Sequence, residues 1–231
     1  MKLLVVASEP MEFRGLLARA SSPRPAAVKA DWARTVTLGE HELLLLANGA
    51  SRRRAAAAVD AGLCCYRADA LVSYGLCGAV DPDLAPAQIV VATEVVYGEA
   101  RYAAAGLKAT RPHRPGVVRT LDHIAQSAEE KRAWRSTGAI AVEMEAAAVA
   151  ERAEVGRLPF FCIKAVSDLA NESLANDLNA VLRPDGHFDT IKVLGSTLRH
   201  PLVRVPELFR LWRRSARAAN RLGEFFADCR F

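Results

Sequence analysis

The stretch Phe160–Asn171, FFCIKAVSDLAN, decides the fold. An apolar run ends abruptly at Ser167–Asp168. Such a run fits a strand covered on both faces, and its carboxyl end is where open α/β sheets place their ligands. Upstream, the apolar segment Ala139–Val142 ends in Glu143-Met144-Glu145. Two strand ends that carry acids predict one pocket, and the pocket predicts an enzyme.

Working outward, Leu3–Ala7 reads as a first buried strand and Glu12–Ala18 as the opening turns of a helix. Thr35–Thr37 and Glu42–Ala47 read as neighbouring strands around a Leu38-Gly39-Glu40 turn. The break at Asn48-Gly49-Ala50-Ser51 precedes an alanine-rich helix from Arg52 to about Ala61, with Ser51 as its cap. Ala70–Ser73 is the next strand, and Gly75 and Gly78 bracket a turn at its end. Gln88–Val95 returns as a strand. Tyr97–Pro115 shows no period and reads as loop or edge. A helix is expected within Leu121–Arg135, with Asp122 near its start, and another over Met144–Val155. Residues 171–190 read as irregular, and Val203–Phe226 as a long terminal helix or helix pair. This alternation predicts one domain over 1–231: a three-layer α/β/α sandwich around a mixed sheet, ending in a basic amphipathic segment at 201–227.

Bulk properties narrow the class. The chain has 231 residues, 51 % of them hydrophobic, which supports a sizeable core. A net charge of +5 suits an anionic substrate or surface and selects none. The five cysteines form no CxxC pair and the histidines are scattered, which argues against structural zinc or a disulfide framework; the cysteines read as small buried residues in a reducing cytosol. Glu9 and Glu12 follow the opening MKLLVVA closely, unlike a secretory signal. No apolar run reaches the roughly 18 residues of a spanning helix. A cytoplasmic location is expected; the basic terminal helix reads first as packed on the domain with a solvated basic face, and contact at the inner membrane face is the alternative.

Asp168 is the leading candidate for chemistry. A carboxyl group partly desolvated at a strand end can hold a proton near neutral pH; a helix-capping role fits the same position. Ser167 is placed to orient it. Glu143 and Glu145 would share one face if extended, and a carboxylate pair can clamp the hydroxyls of a ribose; a capping role fits here also. Gly75 and Gly78 let backbone approach a ligand closely, outside any GxGxxG context, so NAD is not expected. Gly49 and Arg52, at a helix start, suggest a phosphate site, although Arg52-Arg53-Arg54 also reads as a solvated charge run. No aromatic interleaving or binding module accompanies those arginines, so no nucleic-acid partner is expected.

Four blocks together resemble the nucleoside phosphorylase and nucleosidase family: MKLLVVASEPMEF at the start, VSYGLCGAVDPDLAPAQIVVATE at 72–94, GAIAVEMEAAAVA at 138–150 and FFCIKAVSDLANE at 160–172. The resemblance implies cleavage of a purine N-glycosidic bond. It implies that Asp168 protonates or hydrogen-bonds N7 of the leaving base, that Met144 packs under the ribose and Glu145 binds its hydroxyls, and that Glu12 activates a water. The Gly75–Gly78 turn matches the loop beside the nucleophile and the base, with Cys77 and Gly78 at the base and Gly75, like Gly49 and Arg52, a phosphate candidate. His123 stands about where nucleosidases carry an aromatic residue, a departure from the pattern. Water and phosphate both remain open as nucleophile. No metal or cofactor is implied, and inorganic phosphate is an optional co-substrate. The tail, DGHFDTIKVLG at 185–195 and HPLVRVPELFRLWRRSARAANRLGEFF at 200–226, resembles the hopanoid-associated branch of the family. That branch implies an adenosyl nucleoside linked to a lipid, adenosylhopane, as substrate, the alternatives being a methylthioadenosine/adenosylhomocysteine-type nucleosidase and a non-catalytic nucleoside-binding protein; the family implies a homo-oligomer, with a dimer favoured.

Overall fold

Alternate residues of the first strand feed opposite cores, and the layers follow from that. A computed structural model describes residues 1–198 and 200–231. Its strands are β1 (Lys2–Ala7), β2 (Ser21–Pro25), β3 (Trp32–Leu38), β4 (His41–Ala47), β5 (Ala70–Ala79), β6 (Ile89–Tyr97), β7 (Ala100–Ala103), β8 (Arg114–Thr120), β9 (Ala139–Glu143) and β10 (Phe160–Asp168). The helices are α1 (Arg14–Leu17), α2 (Arg52–Leu63), α3 (Ala128–Arg135), α4 (Ala146–Gly156), α5 (Leu178–Val181), α6 (Thr190–Leu198) and α7 (Pro201–Phe226). Leu4 and Val6 of β1 pack into one core with Ala55, Ala58 and Val59 of α2 and the alanines of α4. Leu3 and Val5 face the other core, with Phe13 and with Ala218, Leu222, Phe225 and Phe226 of α7. Helices therefore cover both faces of a mixed sheet, the expected three layers.

One end of the sheet closes on itself. β1 joins β5 in parallel, and β5 also pairs in parallel with β10 and antiparallel with β9. From β10 the ladder runs through β6 and β8 back to β9, so β5, β10, β6, β8 and β9 form a ring. The carboxyl ends of β1, β5 and β10 then lie along one rim, with the end of β9 brought to it by the ring.

Several expectations are corrected. Gly75 and Gly78 do not bracket a turn: β5 continues through both to Ala79. Gly75 sits at φ 143°, where a side chain is strained, and a Cβ there would lie 2.7 Å from a Glu12 carboxylate oxygen. The glycine is a close-approach point within a strand. Tyr97–Pro115 holds the edge strand β7 and the start of β8, a central strand whose Pro and Gly hide the period. Asp122 precedes α3 at a distance, and Ser127 caps that helix by accepting from Glu130 N. Ser51 caps α2 as expected. Cys64 and Cys65 are exposed after α2, whereas Cys77, Cys162 and Cys229 are buried. The terminal segment is one helix, α7. Among the described residues no helix is long and apolar enough to cross a membrane.

Helix α7 docks through glycine contacts. A Cβ on Gly223 would lie 2.0 Å from the carbonyl carbon of Gly15, and one on Gly15 2.4 Å from the Ala219 carbonyl oxygen. Backbone meets backbone with no side chain able to yield, so Gly223→Ala should destabilise the chain by about 2–3 kcal/mol. In urea melts this appears as a lower midpoint at unchanged slope; an unaltered midpoint would refute the contact.

Candidate active site

Strand ends build the site. Along the rim, one cleft is lined by Ser8 after β1, Glu12, Leu76–Gly78 of β5, Leu121 and His123–Ala125 after β8, Val142–Glu145 at the end of β9, and Ser167–Asp168 of β10. Ala50 and Phe188 complete its lining. Of the residues singled out in the sequence, Asp168, Glu12, Met144, Glu145, Glu143, His123, Ser167, Gly78 and Cys77 are thus brought together.

Each acid has a distinct setting. Glu12, in the turn Pro10–Phe13, accepts from Ser8 N at 3.0 Å, the Ser8 hydroxyl at 3.2 Å and Leu76 N at 3.3 Å. Burial pushes its carboxyl above the usual range, against the pull of the Lys164 charge and those N–H donors. Glu143 is committed internally. Its Oε2 accepts from Glu145 N at 2.9 Å and Ala146 N at 2.8 Å, closing the amino end of α4, and lies 2.9 Å from Lys164 Nζ. Its Oε1 accepts from Thr120 Oγ1. The Glu143 carboxylate therefore serves as a helix cap and ion-pair partner. Glu145 is the residue immediately before α4, its Oε2 3.9 Å from Lys164 Nζ. Burial raises its carboxyl to about 8; Lys164 opposes the rise and Glu143 adds to it.

Asp168 is held from both sides. Lys131 Nζ of α3 lies 2.6 Å from Oδ2, and the Ser167 hydroxyl lies 2.8 Å from Oδ1. That hydroxyl is also 3.1 Å from the Cys77 carbonyl, and its single proton serves one acceptor at a time. Lys131 is completely buried and donates further to the carbonyls of Leu169 and Glu172. A Cβ on Gly78 would come within 3.0 Å of Asp168 Oδ2, so the strand must carry glycine there to admit the carboxylate. The buried Cys77 thiol is pushed well above its ordinary value by burial, which keeps it a thiol. His123 rings the half-open side, with Nε2 2.6 Å from Glu130.

Two expected phosphate residues go elsewhere. Arg52 lies over the Tyr97 ring, 3.6 Å from its centroid, and 3.6 Å from Glu151. Arg53 donates to the Pro184 carbonyl, and Arg54 to Asn48 and Asp31. Gly49 is covered by backbone: a Cβ there would lie 2.6 Å from the Asp185 carbonyl. The loop that covers it is tied down by His187, between Glu9 at 3.0 Å and Asp31 at 2.8 Å, and it carries Phe188 to the cleft. Gly75 stays beside Glu12. Lys131, Lys164, Thr120 and Phe188 were missed in the sequence. A lysine inside the apolar run FFCIKAV was the one available signal, since a buried ammonium requires acidic partners.

This arrangement of acids on a ring-closed rim can be set against known proteins. The family model described as the phosphorylase superfamily matches residues 4–123 and 100–185. The chain belongs to the phosphorylase superfamily. As a member of this family of nucleoside phosphorylases and nucleosidases it is an enzyme. It is 24 % identical over 177 residues to the 5′-methylthioadenosine/S-adenosylhomocysteine nucleosidase of Staphylococcus aureus strain JH9, spanning 64 % of this chain and 78 % of that protein. Its fold matches that of the S. pneumoniae nucleosidase with a transition-state inhibitor, at a TM-score of 0.70 and 21 % identity over 98 % of this chain and 100 % of the other. It matches the Helicobacter pylori nucleosidase with butyl-thio-DADMe-Immucillin-A at 0.74 and 14 %, over 98 % and 96 %.

Protonation of Glu145 yields a prediction for this superfamily member. Its folded-state value near 8 exceeds the ordinary 4.5, so the folded state binds the proton more tightly than the unfolded state. Stability from this group is present below about 4.5 and is lost as pH rises through about 8. Thermal melts at acidic and alkaline ends of that window should show a smaller loss for Glu145→Gln than for the parent. Equal losses would refute the assignment.

Proposed function

We propose that this enzyme breaks the N-glycosidic bond of an adenosyl nucleoside and releases adenine, with water as the nucleophile. The observation that carries the proposal is the single cleft in which Asp168, Glu12 and Glu145 meet around Met144. As the bond stretches, negative charge builds on the purine and positive charge on the ribosyl ring. Asp168 faces N7 and relays to it the proton of the Lys131 ammonium, 2.6 Å from Oδ2, as the base departs, which leaves Lys131 neutral until solvent returns the proton. The Glu145 carboxyl hydrogen-bonds the ribose hydroxyls over Met144, and the Glu12 and Glu143 carboxyls on the same side of the cleft favour the developing cation. Glu12 takes a proton from the attacking water; a buried carboxyl with a raised value suits that task near neutral pH.

The placement of Arg52, Arg53 and Arg54 away from the cleft supports water over phosphate. For the 5′ substituent we propose an apolar, lipid-linked group, with adenosylhopane as the substrate. Support comes from the tail's resemblance and from Phe188, an apolar side chain at the cleft followed by the exposed Ile191 and Leu194.

Adenine release from adenosylhopane and from 5′-methylthioadenosine, each with and without phosphate, tests the proposal. Release should be independent of phosphate, and Asp168→Asn and Glu12→Gln should each lower kcat by about 10²-fold or more. Failure to release adenine from either compound would sink it. A ribosyl 1-phosphate product would reassign the nucleophile, and a strong preference for methylthioadenosine would overturn the lipid-linked substrate.

A further inference from the structure

Helix α7 has two apolar faces, and only one is used by the fold. Its carboxyl half turns Ala218, Leu222, Phe225 and Phe226 into the core. In its amino half, the rotation is set by Glu207. The Glu207 carboxylate is buried and accepts from Ala175 N at 2.8 Å, Asn176 N at 2.8 Å and Asn176 Nδ2 at 2.6 Å. With Glu207 inward, Leu202, Val205, Phe209 and Trp212, spaced i, i+3, i+7 and i+10, form a stripe on the outer side. Leu202 is 91 % exposed, Phe209 58 % and Trp212 59 %. The Phe209 and Trp212 rings stack in the open, 6.0 Å apart, with the Arg213 guanidinium 5.8 Å from the Phe209 centroid. The preceding helix α6 adds Ile191, 84 % exposed, and Leu194 one turn on.

Charge identifies what this face meets. From Pro201 to Arg221 there are six arginines and one acid, Glu207, which is turned inward. Arg210, Arg213 and Arg217 run beside the apolar stripe at i, i+3 and i+7. A two-fold contact between copies of this face would bring those arginine rows against each other. A nucleic acid would meet the arginines and leave the stripe in water. An anionic bilayer satisfies both, because aliphatic and aromatic side chains enter the headgroup–acyl boundary while guanidinium groups pair with lipid phosphates.

We infer that the outer face of α7, with the exposed turn of α6, docks the enzyme on anionic membrane surfaces. Phe188, which lines the cleft, lies three residues before Ile191, so the docking face adjoins the cleft along the chain. The inference is independent of which bond the cleft breaks, and its deciding readout is vesicle binding.

Flotation of the full chain with vesicles of phosphatidylcholine alone, or of phosphatidylcholine with phosphatidylglycerol, reads it directly. Binding is expected to the phosphatidylglycerol vesicles only and to weaken with salt. Phe209→Ser with Trp212→Ser, and separately Arg213→Glu with Arg217→Glu, should each reduce binding about tenfold or more. Both pairs are exposed, so thermal melts and turnover of a water-soluble nucleoside should match the parent. Absence of binding to phosphatidylglycerol vesicles, or binding unchanged by both variant pairs, would overturn the inference. So would a parent that is dimeric in light scattering and becomes monomeric in Phe209→Ser with Trp212→Ser, which would assign the face to a second copy.

Discussion

The buried ammonium of Lys164 is the constraint on which the site depends. It is 1 % exposed in the middle of β10, 2.9 Å from Glu143 and 3.9 Å from Glu145, and its charge also acts on Glu12. Burial alone would lower its pKa, but the two glutamates override that and raise it. A lysine so placed is tolerable only because carboxylates surround it, and those carboxylates are tolerable only because the lysine is there. The pair therefore ties β10 to the junction of β9 and α4. The α4 cap follows from it, since the Glu143 oxygen that faces Lys164 also accepts from Glu145 N and Ala146 N.

A second ion pair does at Asp168 what Lys164 does at Glu143 and Glu145. Lys131 reaches from α3 to Asp168 and to the carbonyls of Leu169 and Glu172, and so ties α3 to the end of β10 and the residues after it. The two lysines divide the labour electrostatically. One sits among Glu12, Glu143 and Glu145, and the other holds Asp168 alone. The cleft thus gathers four carboxyl groups, with Lys164 opposing the burial that raises Glu145 and Glu12 and the mutual repulsion that adds to it at Glu145.

Much of this was legible. FFCIKAVSD announces a covered strand ending in an acid, and AIAVEMEAAAVA a strand, an acidic turn and a helix, because both periods and both breaks are local. Ser51 was legible as a cap for the same reason. Gly75 and Gly78 were misread as a turn, since glycine signals chain reversal and close approach alike; here Glu12 and Asp168 lie against them. Strand β8 was hidden because RPGVVRT carries its turn-like residues at its start and is only partly covered. Arg52 invited a phosphate reading that Tyr97 and Glu151, far away in sequence, overrule.

The sequence by itself determined the layered α/β class, the two acid-bearing strand ends, the family and the amphipathic tail, all properties carried by neighbours along the chain. Only the tertiary structure decided which carboxylates remain available and which are spent. Glu143 became a cap, Asp168 acquired Lys131, and Gly49 was covered by the Asp185–Gly186 backbone. The same holds for α7, whose period shows an amphipathic helix without showing which apolar face is buried. Glu207, bonded to Asn176, settles the rotation and leaves Phe209 and Trp212 outside. Ion pairs and close approaches join residues tens of positions apart, and no local pattern encodes which partner a buried charge will find.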